Sequence, residues 1–186
     1  MAEFVVRPAR VGDAQAMAEL MAAVAQERDG IATEPPVDID ERAVRFARSA
    51  GESVVAVAGG RIAGMLNVHV SRHGFGEFGM LVERGWRGRG VGSALVQAAI
   101  GWARGHGLHK LCLEVFTHNT AAIALYRKFG FVDDHRDNGP AHLDRHESRG
   151  THHRRFAEHP VPADQRGRRA CQRDFLDRDG PVSCSE

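Results

Sequence analysis

The chain has 186 residues, 42% hydrophobic and 26% charged, with a formal net charge of +1; this fits one soluble globular domain with a real core and gives no reason to expect a nucleic-acid or membrane partner. No stretch approaches the roughly 18–20 apolar residues that span a bilayer, and Met1 to Arg10 lacks the apolar centre of a signal peptide. Cys112, Cys171 and Cys184 are too far apart to form a metal-ligand pair or a disulfide framework, so a reducing cytoplasm is the expected setting.

Phe4 to Arg7 is a short extended run closed by Pro8 and reads as a first strand. Asp13 offers an N-cap, and Met17, Leu20, Met21 and Val24 follow at i, i+3, i+4 and i+7, the apolar stripe of an amphipathic helix. After Gly30 and Pro35-Pro36 a second helix is expected from Asp38 or Asp40 to Gly51, with Phe46 and Ala47 inward. Three strands follow closely: Ser53 to Ala58, Ile62 to Val70 and Phe75 to Val82, with Gly59-Gly60 and Gly74 at the turns. The sheet therefore opens antiparallel.

A loop rich in glycine and arginine, Gly85 to Gly92, runs into a helix with Val91, Leu95, Ala98 and Trp102 on one face, ended by Gly105 and Gly107. Leu108 to Phe116 is a strand. Asn119 caps another helix, with Ile123, Tyr126 and Phe129 to one side and Gly130 at its end, and Phe131-Val132 opens a further strand. The expected order is β-α-α-β-β-β-α-β-α-β, a mixed α/β layer on one sheet.

From Asp134 the pattern is lost. Leu, Ile, Val and Phe fall to about a tenth of the residues, too few to build a core. Two regions are therefore expected, a folded domain over 1–133 and a disordered Arg/His-rich tail over 134–186. The tail's six histidines between His135 and His159 have no cysteines among them and no repeated His-x3-His face, so no metal site is expected.

The strongest chemical signal is Arg87-Gly88-Arg89-Gly90-Val91-Gly92, placed between a strand and a helix. A helix N-terminus presents unpaired N–H groups and partial positive charge, and so holds phosphate. Glycine lets the backbone approach the ligand, and Arg87 and Arg89 can add charge-assisted bonds. A P-loop would need Gly-Lys-Ser/Thr, and no lysine is present here. A dinucleotide fingerprint fails in both frames, ending on Ser93 or Leu95 instead of glycine, and an antiparallel opening is wrong for it.

Arg87-x-x-Gly90-x-Gly92 resembles the motif with which GNAT-superfamily acetyltransferases bind the coenzyme A pyrophosphate. The strand Leu111 to Val115 and the block from Asn119 through Tyr126 to Gly130-Phe131 resemble that family's next two conserved segments in the same order, and the likeness runs over roughly Phe4 to Asp133. The resemblance implies a GNAT-type α/β fold: a mixed, mostly antiparallel sheet flanked by helices and splayed between strands 4 and 5, with a bulge in strand 4. It implies acetyl-CoA as co-substrate, with no metal. Pantetheine would pair with Met80, Leu81 and Val82, and the pyrophosphate would sit on Arg87, Gly88, Arg89, Gly90, Val91, Gly92 and Ser93. Asn119 and Tyr126 would contact the pantetheine arm.

The implied reaction is direct attack by a primary amine on the thioester. A backbone N–H near Val82 would hold the developing oxyanion. Tyr126 resembles the tyrosine that protonates the leaving thiolate. Glu114, at a position similar to the base of ribosomal-protein alanine acetyltransferases, and Glu77 compete for the role of base. A strand carboxylate beside the slot should be desolvated, which suits a base. His69, His73 and His118 are further candidates at turns or strand ends. The acceptor is a small amine, an amino acid or a protein N-terminus.

Members of the family close the sheet with a seventh strand that helps form the acceptor pocket, and no such strand is readable in Asp134 to Glu186. That segment resembles out-of-frame translation of a GC-rich gene. Loss of the strand would leave a protein that binds acetyl-CoA with impaired catalysis, and an unpaired sheet edge prone to association, with a homodimer as the simplest form.

Overall fold

The computed structural model describes residues 3–71, 74–133 and 167–173. Strand β1 (Val5–Pro8) leads into α1 (Ala14–Ala25), whose Met17, Leu20 and Val24 are buried as the apolar stripe requires. Asp13 stands at the N-cap of α1 without capping it through its side chain. Its carboxylate instead accepts from the Arg10 N–H at 2.7 Å and pairs with Arg7 at 2.7 and 2.8 Å, tying β1 to the start of the helix. The hydrogen bond from Arg7 is the main reason the Asp13 carboxyl lies below its ordinary pKa. Helix α2 (Ile39–Arg48) begins at Asp38, whose side chain accepts from the Glu41 N–H at 2.9 Å.

Strands β2 (Ser53–Ala58), β3 (Arg61–Val70) and β4 (Phe75–Val82) form the antiparallel meander expected from the glycine turns. Then come α3 (Val91–Gly105), β5 (Lys110–Phe116), α4 (Thr120–Lys128) and the short β6 (Val132–Asp133). A seventh strand, β7 (Gly167–Arg173), is present, contrary to the expectation from sequence. It pairs antiparallel with β5 from Lys110↔Arg173 to Phe116↔Gly167 and with β6 at Val132↔Cys171. The sheet order is β1-β2-β3-β4-β5-β7-β6. The segment GRRACQR has no hydrophobic alternation, which is why periodicity missed it. The disorder expected for 134–166 and 174–186, and the frame of the encoding gene, lie outside the described residues.

Both faces of the sheet are covered. Met17, Leu20, Val24 and Phe46 from α1 and α2 meet Val55, Met65 and Leu81 on one face. Leu95, Val96, Ala99 and Tyr126 from α3 and α4 meet Val54, Leu66, Val68 and Phe78 on the other.

The functional feature of the sheet is the way β4 meets β5. The two run parallel only from Phe75↔Lys110 to Phe78↔Leu113. Beyond that, β4 stays paired with β3 to Gly64↔Val82, while its other edge parts from β5. The splay implied by the family resemblance is thus present. The bulge expected in β4 does not appear in its pairing with β3, whose register is unbroken; the irregularity falls in β2–β3, between Ala56 and Val57.

Gly76 sits in the paired half. A Cβ there would lie 3.0 Å from side-chain atoms of Val68, Leu108 and Leu111. With three core neighbours to displace, Gly76→Ala should overpack the closed end of the slot and destabilise the fold by about 1–3 kcal/mol. Thermal unfolding checks this, and an unchanged midpoint would mean that the three side chains yield freely.

Candidate active site

Three surfaces converge where β4 and β5 part. The first is the edge of β4. The Glu83 N–H donates to Ala63 O at 2.9 Å and the Ser71 N–H to Phe75 O at 2.8 Å, which sets odd-numbered β4 residues as the hydrogen-bonded partners of β3. The backbone N–H and C=O of Met80 and Val82 therefore point away from β3 into the slot, past the last β5 pair at Phe78↔Leu113. Leu81 is different: its backbone faces β3, and its buried side chain lies on the α1/α2 side. The expectation that Leu81 offers backbone groups to a ligand is corrected on that ground.

The second surface is the N-terminus of α3. Gly90 holds the N-cap with φ +88°, and no side chain caps the helix. The N–H groups of Val91, Gly92 and Ser93 therefore have no partner within the helix. A Cβ on Gly88 or Gly90 would meet nothing within 4 Å, so the approach to these donors is open. Gly92 serves packing instead, since a Cβ there would lie 3.0 Å from the Leu125 side chain of α4.

The two arginines behave differently from a simple pair of phosphate ligands. Arg87 forms a two-bond pair with Glu27 at 2.7 and 3.0 Å, and its Nε donates to Val82 O at 3.0 Å. It ties the chain after α1 to the end of β4. Arg89 lies over the Trp86 ring, 5.4 Å from its centroid. The uncapped N–H groups and partial positive charge of the helix terminus suit an anion.

The third surface is α4 and the end of β5. Asn119 caps α4 by accepting from the Ala122 N–H at 3.1 Å. It also lines two neighbouring cavities of about 680 and 320 Å³. Tyr126 lines the larger one and is 7% exposed. Its ring meets Phe78 and Phe131 edge-on, with centroids 5.8 and 6.0 Å apart. No described residue hydrogen-bonds its hydroxyl. Burial pushes the phenol up to about 12, so it is fully protonated at neutral pH.

Glu114 and Glu77 separate here. Glu114 lines the larger cavity, but its side chain is exposed, so the expected desolvation is not found. Glu77 is not among that cavity's lining residues; it pairs across the sheet with His69, which is. His118 lines the smaller cavity and meets Asp29 at 3.0 Å. His73 lies outside the described residues. Residues that sequence reasoning missed come mainly from α2 and β3: Arg42, Arg45, Phe46, Ser49 and Asn67 all face the larger cavity. Positions 42, 45 and 49 follow helical spacing around the inward Phe46, but their polarity reads as a solvated face.

Residues 15–131 match the family model described as Acetyltransferase (GNAT) family. The chain is 30% identical over 139 residues to L-amino acid N-acetyltransferase AaaT of Escherichia coli K12, covering 70% of this chain and 84% of that protein. It is also 30% identical over 135 residues to an L-methionine sulfoximine/L-methionine sulfone acetyltransferase of Pseudomonas paraeruginosa PA7, covering 68% and 78%. In fold it is similar to YncA of Salmonella typhimurium, solved with its cofactor acetyl-CoA, at a TM-score of 0.70 and 18% identity over 98% of this chain and 100% of that one. The chain belongs to the GNAT family of acetyltransferases. Its class is that of an acetyl-CoA-dependent N-acetyltransferase.

Tyr126 is the only tyrosine, so the ultraviolet absorbance of tyrosinate reports it alone. Ionisation should occur near pH 12 in the folded protein and near 10 after denaturation. Because the folded value is the higher, the protonated phenol stabilises the fold fully below about pH 10, and that stability is lost as pH rises towards 12. A folded-state titration midpoint at 10 would show that the hydroxyl is solvated.

Proposed function

We infer that the protein moves the acetyl group of acetyl-CoA to the primary amine of a free amino acid, by direct attack in a ternary complex. The observation that carries the reading is the buried Tyr126, whose hydroxyl has no hydrogen-bond partner among the described residues, beside a strand edge whose backbone groups face the same slot. The names of the two 30%-identical relatives, both acting on amino acids or their close analogues, support the choice of acceptor.

In this reading the N–H groups of Val91, Gly92 and Ser93 hold the diphosphate, and the slot-facing backbone groups of Met80 and the N–H of Val82 align the pantetheine arm, the Val82 carbonyl being held by Arg87. A slot-facing N–H of β4 stabilises negative charge on the thioester oxygen. Glu114, which lines the cavity, removes the ammonium proton through water, and the neutral amine forms the new C–N bond. As the C–S bond breaks, Tyr126 gives its proton to the departing sulfur and is reprotonated, through water, by the second proton that the acylated nitrogen sheds as it becomes an amide. A phenol held near pKa 12 is a poor acid in bulk terms. Because a thiol is the stronger acid of the two, the transfer runs uphill on its own and is drawn by the coupled C–S cleavage and loss of the nitrogen proton.

Tyr126→Phe should lower kcat by about 10²–10⁴-fold in a free-thiol release assay with acetyl-CoA and an L-amino acid. The acetyl-CoA-dependent rise in melting temperature should persist, since the diphosphate donors are intact. An unchanged kcat would remove Tyr126 from the reaction. Gly90→Val forces a branched side chain to φ +88° at the mouth of the donor cluster. Acetyl-CoA at about 100 times its dissociation constant should add roughly 2.7 kcal/mol to the parent protein, and much less to this variant. Equal stabilisation of both proteins would place the diphosphate elsewhere.

A further inference from the structure

The larger cavity has two chemically distinct walls. On the β5 side it carries Glu114, and on the α2 side it carries three guanidinium groups, Arg42, Arg45 and Arg48. Arg45 is already neutralised by Glu41 at 2.6 Å. Arg42 and Arg48 pair with no carboxylate among the described residues. Of these two, Arg48 is exposed, whereas Arg42 is half-buried and lies on the same helical face as Phe46 and Ser49, which also line the cavity. Arg42 is thus a half-buried cation on the cavity wall with no carboxylate partner among the described residues, and an anion entering the cavity can supply one.

We propose that Arg42 binds the carboxylate of the acceptor and so selects free amino acids over amines that lack one. This rests on the N-acetyltransferase reading above. The charge pattern excludes the other acceptor classes. A polyamine would meet two uncompensated arginines on the α2 wall. A polyanion would meet Glu52 as well as Glu114. A peptide N-terminus has an amide where the carboxylate of a free amino acid stands. A zwitterion suits both walls: its carboxylate takes the planar fork of Arg42 with two parallel N–H donors, and its amine faces the slot and Glu114.

The test compares acid and amide. The twenty L-amino acids are assayed for free-thiol release with acetyl-CoA, and the best of them is compared with its own carboxamide, in the parent and in Arg42→Gln and Arg42→Lys. The parent should prefer the acid by at least about 10-fold in kcat/KM, as a site built for a polar group rejects the analogue without it. Arg42→Gln should collapse that preference through a raised KM for the acid, and Arg42→Lys should restore part of it. Acetyl-CoA should still raise the melting temperature of both variants. An amide that serves as well as the acid, or a variant that weakens both equally, overturns the proposal. A parent that binds acetyl-CoA but acetylates nothing sinks the N-acetyltransferase reading instead. In that case calorimetric titration of L-methionine into the coenzyme A-saturated protein decides Arg42 on its own: binding lost in Arg42→Gln upholds the role, and no binding to the parent overturns it.

Discussion

The site depends on a single failure of strand pairing. β4 is bonded to β3 along its whole length but to β5 only as far as Phe78↔Leu113. A buried strand edge normally has to satisfy its backbone groups elsewhere. Here the groups of Met80 and Val82 are left facing a slot in the middle of a two-sided core. Nothing about their side chains creates the binding edge. It follows from register, which fixes the even-numbered residues as the ones that turn away from β3. Gly76 makes the arrangement possible at the closed end, because Val68, Leu108 and Leu111 crowd the place where a side chain would stand. The slot thus begins beyond Phe78, two residues after this crowded glycine.

Electrostatic contacts hold the walls of that slot relative to one another. The segment after α1 reaches both sides: Glu27 to Arg87 beside β4, and Asp29 to His118 beside β5. Neither pair is deeply buried, so each contributes little to global stability. Their value is positional. Arg87 also donates to Val82 O, so the last carbonyl of β4 is fixed by the same guanidinium that anchors the strap. The arginine most suggestive of phosphate in the sequence is therefore engaged in holding the slot's geometry. The α3 N-terminus, whose first backbone N–H groups have no side-chain cap, is the place we propose for the anion.

Local signals carried much of the fold. The helix stripe Met17, Leu20 and Val24, the Asp38 and Asn119 caps, the glycine turns and the strands over 53–58 and 75–82 were all readable, because each is specified by neighbours in sequence. Two features were not. β7 has the sequence GRRACQR, with no alternation for a strand reading to use, and it belongs to the sheet through long-range pairing with β5 and β6. Its presence removes the ground for expecting a protein deprived of its acceptor-side strand. The exposure of Glu114 also lay beyond sequence: its neighbours Leu113 and Val115 are buried, but the carboxylate opens into the cavity that the splay creates.

The same division explains why the acyl-donor half of the site was legible and the acceptor half was not. The proposed donor recognition uses backbone groups of β4 and α3, so its sequence mark is a small set of glycines where the chain must turn or lie bare. The acceptor wall is made of side chains on α2, where Arg42, Arg45 and Ser49 read as an ordinary solvated helix face until the sheet is set opposite them. Only the buried Phe46 among them betrays an inward side. Tyr126 joins the two halves. It is anchored by aromatic packing on the α3/α4 face, yet it lines the cavity on the far side of the slot, and the parted strands are what let one side chain belong to both.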